Sequence, residues 1–340
     1  MSGNPSVLFI GGTGTISSAC VREAQAVGFD VTVLNRGKSK LRPLPEGVTL
    51  LPTDIEDDAA VAAALKGRDF DVVADFLSFT QPRLRRNVDL LRSHVGQYVF
   101  ISSASAYQKS PPPSLPITES TPLRNDFWQY SRDKIACESY LVGLWRDEGF
   151  PATIVRPSHT YDQFTIPFMG KWTQVSRARA GKPMVLWGDG TALWTLTHAS
   201  DFAYMFAGLL GNPAARGEVY QIMGDCVLTW DAVATALAEA AGVRDVKLAH
   251  VASETIGLVL PDWWPELAGD KSGCAVFDCT KVRALRPGFA TKVPFWVGAR
   301  EIVAAYDAHP ELAVVDADLD AKLDKLVAIS RLDLAGLASA

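Results

Sequence analysis

The sequence has no apolar run near the ~18 residues that a membrane-spanning helix needs; its best, Phe202–Leu210, is about half that length. It has no basic surplus either. Lys and Arg total 33 against 38 Asp and Glu, a formal net charge of −5. That balance excludes the broad electrostatic footprint of a nucleic-acid binder. Cysteine is scarce, and Cys20, Cys137, Cys226, Cys274 and Cys279 form an odd, scattered set. Cys274 and Cys279 lack the spacing of a zinc knuckle, and no second pair repeats theirs, so no metal site is expected. All five read as reduced thiols, which points to a cytoplasmic protein. Met1–Pro5 offers neither the basic nor the apolar region of a secretory signal. Internal repeats and low-complexity tracts are also missing.

What remains is ordinary globular material. The chain has 340 residues, 48% of them hydrophobic and 21% charged. That supports two domains, or one large domain with an appended subdomain. The first part alternates short apolar runs with helical patterns, which predicts βαβ units around a parallel sheet. Val7–Ile10, Val31–Leu34, Val72–Phe76, Tyr98–Ser102 and Ala152–Val155 read as buried strands, and Thr15–Val27 and Arg83–Arg92 as crossover helices. After Arg156-Pro157 the alternation fades among Trp172, Trp187 and Trp194. Asp201–Leu210 reads as a helix, Val219–Met223 as a strand, and Trp230–Ala241 as a helix ended by Gly242. The stretch from Ala313 to Leu337 reads as a charged amphipathic helix forming a solvated outer layer. The expected division is residues 1–157 with about 196–225 as a dinucleotide-binding domain, and 158–195 with 226–340 as a smaller substrate-binding subdomain.

The turn after the first strand, Gly11-Gly12-Thr13-Gly14-Thr15-Ile16-Ser17, opens a helix. Glycines let the backbone approach a pyrophosphate, which sits where free N–H groups and the helix dipole favour negative charge. Ser17 stands at the third glycine position, the next-smallest choice for close helix–strand packing. The second strand ends Leu34-Asn35-Arg36-Gly37, about 20 residues further on, where the adenosine ribose is read. Asn35 does not repel a phosphate and Arg36 is suited to one, so NADP is favoured over NAD; stacking of Arg36 on adenine is the alternative. A second constellation is Tyr130-Ser131-Arg132-Asp133-Lys134. Residues at i and i+4 share a helix face, so the ammonium can lower the phenol pKa toward working pH. Ser102 and Ser103 end the preceding strand, on the sheet edge where ligands bind, with Ser105 and Tyr107 just beyond.

Through these motifs, Asp54-Ile55, Arg156-Pro157 and the run Thr197-His198-Ala199-Ser200-Asp201-Phe202-Ala203, the sequence resembles the extended short-chain dehydrogenases/reductases that include nucleotide-sugar epimerases and dehydratases. The resemblance covers roughly residues 6–300. It implies a Rossmann-like, doubly wound α/β fold with a smaller, mostly C-terminal subdomain. It implies Ser103, Tyr130 and Lys134 as the catalytic set, with Lys134 also on the nicotinamide ribose. Asp54 would contact adenine beside Ile55, Phe76, Leu77 and Ser78 would line the adenosine side, and Pro157-Ser158 the nicotinamide amide. Ser102 joins the cofactor shell, and Ser103 and Ser105 are hydroxyls near the substrate. His198 is structural in this pattern. The helices around Arg83–Arg92 and Asp133–Trp145 are those that often form a homodimer in the family.

The chain departs from the family at Trp194, where many epimerases carry the arginine that grips the substrate diphosphate. An indole cannot replace that fork. Arg283 and Lys281 either supply charge from elsewhere or form a solvated helix face. Trp194 either stacks on substrate or packs in the core, and His159 points toward the cleft as a candidate substrate contact. Trp263-Trp264 form either an apolar lid or core and dimer packing, and Arg83, Arg85, Arg86 and Arg92 a solvated face. The expected function is NAD(P)-dependent hydride transfer at a secondary alcohol or ketone of a sugar, with nucleotide-linked substrates expected as in UDP-glucose 4-epimerase chemistry. The alternatives are an NADPH-dependent ketoreductase and a non-catalytic nucleotide- or RNA-binding protein, since the chloroplast stem-loop-binding proteins look similar at the Asn-Arg-Gly turn. The expected partner is a small-molecule substrate, with no nucleic acid and no membrane.

Overall fold

A computed structural model describes residues 3–109 and 111–338. The strands are β1 Ser6–Ile10, β2 Asp30–Asn35, β3 Thr49–Pro52, β4 Val72–Asp75, β5 Tyr98–Ile101, β6 Ala152–Pro157, β7 Thr160–Tyr161, β8 Met184–Trp187, β9 Leu193–His198, β10 Val219–Ile222, β11 Cys226–Thr229 and β12 Leu248–Val251. The helices are α1 Thr15–Ala26, α2 Asp58–Leu65, α3 Gln81–Leu91, α4 Gln129–Glu148, α5 Lys171–Arg179, α6 Ala199–Ala207, α7 Trp230–Ala240, α8 Ser253–Val259, α9 Trp264–Glu266, α10 Thr280–Leu285, α11 Phe295–Ala308 and α12 Ala317–Ala338. Seven strands form one parallel sheet in the order β10-β6-β5-β4-β1-β2-β3. The order reverses at β1, which makes this the doubly wound, Rossmann-like topology.

The apolar pattern of β1 explains its place at the centre. Val7 and Phe9 face one way, into a core with Cys20, Val21 and Ala24 of α1 and Phe202 and Phe206 of α6. Leu8 and Ile10 face the other way, toward Val61 of α2, Leu84 and Val88 of α3 and Leu141 of α4. Both faces are covered, so the strand is apolar throughout rather than alternating. Cys279 and Val282, at the start of α10, pack into the α1 side of this core.

A three-stranded sheet, β11-β9-β7, and a two-stranded sheet, β12-β8, form the smaller layer. Its core holds Trp187, Trp194 and Trp230, with Trp187 and Trp230 edge to face at 4.6 Å between centroids. The tryptophans that break the alternation are therefore core residues. The expectation of a solvated tail is corrected by α12, where Leu323 and Leu326 are fully buried in this core. Asp320 and Asp324 on the same helix pair with the buried guanidinium of Arg177 at 2.5 and 2.8 Å. The charges that made the tail read as solvated thus serve a buried cation. No helix among the described residues is long and apolar enough to cross a membrane.

Candidate active site

A cleft of about 1200 Å³ runs across the carboxyl ends of β1, β2, β4, β5 and β6. One end begins at the Gly-rich turn. Gly11 adopts φ +115° and Gly12 φ +83°, where side chains are strained. The two glycines have different jobs. Gly11 lines the cleft. Gly12 lies beneath it, and a Cβ there would come within 2.8 Å of Val33 on β2. Gly12 thus lets the turn pack closely on β2. Thr13, Gly14, Thr15 and Ile16 line the cleft. The first-turn amides of a helix have no intrahelical partner, so this α1 terminus can hold an anion. Ser17 accepts from the Gly14 amide at 2.8 Å, so its hydroxyl braces the turn.

Asn35 and Arg36 also line the cleft, but they differ in freedom. The Asn35 amide donates to the Gly11 carbonyl at 2.6 Å, and its oxygen accepts from the Gly37 amide at 2.7 Å. Asn35 is thereby a brace between two turns, whereas Arg36 makes no side-chain hydrogen bond or ion pair among the described residues. Asp54 and Ile55 line the same end. Arg83 joins them, donating to the Ile55 carbonyl at 3.0 Å and pairing with Glu56. The solvated reading of the arginine face is corrected for this residue, because Ile55 lies across the cleft from the start of α3.

After β4, Phe76 and Leu77 line the cleft, whereas Ser78 is fully buried outside it. Ser78 Oγ donates to Asp75 Oδ2 at 2.5 Å, and Asp75 Oδ1 accepts from the Leu77 and Ser78 amides at 2.9 and 3.0 Å. That carboxylate shapes the loop, and the Ser78 carbonyl accepts from Lys134 Nζ at 2.7 Å. The lining role expected of Ser78 passes to Phe79 and Thr80.

The catalytic candidates come together at the middle of the cleft. Ser103, Ser105, Tyr130 and Lys134 all line it, with Ser102, Pro157 and Ser158 beside them. Ser103 Oγ lies 2.9 Å from Ser105 Oγ, which accepts from Ser131 Oγ at 2.8 Å. The Ser102 hydroxyl is spent on Glu138, so only its backbone faces a ligand. Lys134 Nζ donates to the Ser78 and Ile101 carbonyls, both at 2.7 Å, which leaves one of three N–H groups. Burial pushes its pKa down to about 8.

The expected lowering of the Tyr130 pKa is corrected. Burial dominates and pushes it up, opposed by a hydrogen bond from Ser103 and, more weakly, by the charge of Lys271. Lys134 Nζ lies 5.9 Å from the Tyr130 ring centroid, turned to the two carbonyls. Tyr130 therefore rests as a neutral phenol, a proton donor.

The far end holds residues with no sequence motif. A π-helical turn, Leu267–Lys271, follows α9 and brings Asp270 and Lys271 to the cleft with Glu266. Such turns recur at functional sites. Asp270 bonds Lys109 at 2.6 Å and Lys271 at 2.8 Å, and Lys271 bonds Glu266 at 3.2 Å. Asn125 binds this turn to the catalytic loop, donating to the Gly269 and Ser105 carbonyls at 2.8 and 3.1 Å. Its oxygen accepts from the Trp128 amide at 2.8 Å, at the start of α4. His159 and Trp194 line this end. His159 stands edge to face against Trp194 and Trp230, and burial and the charge of Lys271 drop its pKa to about 3. Arg283 does not reach the site. It pairs with Asp225 and covers the Phe289 ring, while Lys281 pairs with Glu218 at 2.6 Å. Both cations belong to α10, which packs against β10 and α6, and neither lines the cleft.

Against burial, the flanking lysines hold the Asp270 carboxyl down at about 2. The folded value lies below the unfolded one, so this carboxylate contributes stability above about pH 4 that is lost as pH falls through 2, roughly 2 kcal/mol in all. Acid titration of unfolding free energy is expected to fall more steeply for the wild type than for Asp270→Asn in that window. Equal slopes would remove the carboxylate from the balance.

A model of the NAD dependent epimerase/dehydratase family matches residues 7–222. The chain is 28% identical over 261 residues to the chloroplast stem-loop binding protein of 41 kDa b of Arabidopsis thaliana, covering 73% of this chain and 66% of that one. It is 31% identical over 234 residues to a 2'-dehydrokanamycin reductase of Streptomyces kanamyceticus, covering 66% and 63%. The chain thus spans just under two thirds of the length of these two relatives. Among solved structures, the epimerase Mth375 of Methanothermobacter thermautotrophicus superposes with a TM-score of 0.73 at 17% identity, over 92% of this chain and 94% of that one. At that identity the likeness concerns the fold.

Proposed function

The chain belongs to the NAD dependent epimerase/dehydratase family, and from that premise we propose that it is a nicotinamide-dependent oxidoreductase working at a secondary alcohol or ketone of a sugar-like substrate, in the reducing direction. The observation that carries this reading is the meeting of Ser103, Tyr130 and Lys134 at the middle of one cleft whose other end is lined by the Gly-rich turn and the first turn of α1. The turn Gly11–Ile16 would hold the cofactor pyrophosphate, Asp54 and Arg36 its adenosine, and Lys134 and Pro157-Ser158 its nicotinamide end. The dinucleotide, when bound, supplies the hydride.

The chain's own residues then handle the oxygen. Ser103 holds the substrate carbonyl oxygen against Tyr130. Tyr130 gives its phenolic proton to that oxygen as the carbonyl carbon is reduced, leaving a phenolate. The remaining Lys134 N–H stabilises that charge, and a proton from solvent restores the phenol. Lys134 is 2% exposed, and its ammonium lies 4.7 Å from the centre of the Phe79 ring. The same groups run in reverse abstract a hydroxyl proton, which is the first half of epimerisation. The relative that reduces 2'-dehydrokanamycin supports the reductive direction.

The proposed cofactor is NADP. Arg36 is exposed just beyond β2 and lines the cofactor end of the cleft, where a guanidinium suits a 2′-phosphate. Charge-assisted bonds to that phosphate are worth about 1.5–3 kcal/mol, so Arg36→Ala is expected to weaken NADP binding roughly 10-fold or more and to leave NAD nearly unchanged. Paired titrations of both cofactors check this, and a wild type that prefers NAD with an unresponsive Arg36→Ala refutes it. Reduction itself is tested by following nicotinamide absorbance against a panel of ketones. Consumption of cofactor in proportion to product supports the reductase; turnover without net consumption supports the epimerase.

A further inference from the structure

The cations along the cleft are unevenly spent. Among the described residues that line it they are Arg36, Lys38, Arg83, Lys134 and Lys271. The first three stand with Asp54 and Glu56 at the cofactor end. Lys134 is turned to two carbonyls. Lys271 is 4% exposed and already holds Asp270 and Glu266. Lys109, the other partner of Asp270, is 5% exposed and stands against the Trp194 ring. The four far-end charges, Lys109, Lys271, Asp270 and Glu266, cancel. A diphosphate would bring two negative charges to that wall and find no free cationic fork, an arrangement with a large desolvation cost.

The groups that remain available suit the opposite charge. Both Asp270 oxygens are taken by lysines. Glu266 lines the cleft and keeps a third of its side chain exposed; Lys271 meets its Oε1 at 3.2 Å, and no hydrogen bond among the described residues engages its Oε2. Trp128, centred 5.0 Å from the Tyr130 ring, and Trp194 supply aromatic walls, which attract cations and cover the apolar faces of sugar rings. His159 Nε2 is buried and has no protein partner among the described residues. The wall is rigid: the Lys271 carbonyl accepts from the Trp187 and Trp230 indoles at 3.0 and 3.1 Å. A group held in place before binding loses little entropy on binding.

We infer that the substrate is a phosphate-free, amine-bearing cyclic alcohol or its ketone, and that Glu266 selects it by pairing its unspent carboxylate oxygen with the substrate ammonium. This rests on the oxidoreductase reading above and names its substrate class.

The test is calorimetric binding to the full-length protein saturated with NADP, using three probes: the deacetylated glucosamine trisaccharide, its N-acetylated form and UDP-glucose. The first two share a skeleton and differ in charge. The amine form is expected to bind at least about 10-fold more tightly than the acetylated form, the size of a hydrogen bond to a charged group. UDP-glucose is expected to bind most weakly, and Glu266→Gln to remove most of the advantage of the amine. Added salt should weaken the amine form and spare the acetylated one, a wild-type readout that stands even if the variant folds poorly. Equal binding of the paired probes, no binding of the amine form, or UDP-glucose as the tightest ligand would overturn the inference. Failure of the oxidoreductase reading would show separately, as an absence of hydride transfer while the amine preference persists.

Discussion

Tyr130→Phe is expected to lower turnover by roughly 10²–10⁴-fold while cofactor affinity and unfolding free energy stay near wild type. The substitution removes one hydroxyl and keeps the ring, so the packing of Tyr130 on Trp128 and Phe79 survives, at 5.0 and 6.4 Å between centroids. What is lost is the proton donor at the substrate oxygen. An interaction made only in the transition state lowers kcat and kcat/KM together, and that pattern separates a chemical role from a binding one. Steady-state kinetics with a cofactor titration on the same preparation reads both. Turnover within a few-fold of wild type would take Tyr130 out of the mechanism.

Glu138→Ala is expected to destabilise the protein by about 3–5 kcal/mol, the usual penalty for leaving a buried charge unpaired. Arg156 and Glu138 are 5% and 3% exposed and meet at 2.5 Å, with a second contact at 2.9 Å. Burial works against the Arg156 charge, but the Glu138 carboxylate overrides it and holds the guanidinium pKa above its ordinary value. The pair ties α4 to β6, and the Ser102 hydroxyl donates into it from the turn that carries Ser103. Removing both ionic partners, as in the Glu138→Met, Arg156→Met double variant, is expected to recover most of the loss, since two apolar side chains leave no orphaned charge. Urea unfolding at constant m value measures the three proteins. A loss below about 1 kcal/mol for Glu138→Ala would put the pair in the class of exposed ion pairs.

The central sheet was legible because its signals are local. A strand buried on both faces is apolar throughout, so Val7–Ile10, Tyr98–Ile101 and Ala152–Val155 announce themselves, and the Gly-rich turn needs its glycines wherever it occurs. Tyr130 and Lys134 were legible for the same reason, because one helical turn separates them. The strand β3 gave no such signal, since Thr49, Leu50 and Pro52 are exposed at the sheet edge. The smaller layer was also obscure: its strands are two to six residues long, and its tryptophans pack across elements distant in sequence.

By itself the sequence determined the fold class, the Gly-rich turn and the spacing of Tyr130 and Lys134, all of which depend on neighbours within one helical turn or one strand. The tertiary structure alone decided how those groups are spent. Gly12 packs against Val33, Asn35 braces the turn, Ser78 turns its carbonyl to Lys134, and Arg283 pairs with Asp225 away from the cleft. It also brought Asp270 and Lys271 to Lys109, which lies 161 residues from Asp270. Whether a lysine or a carboxylate can meet a substrate depends on partners that only chain folding supplies, and a buried charge must find one.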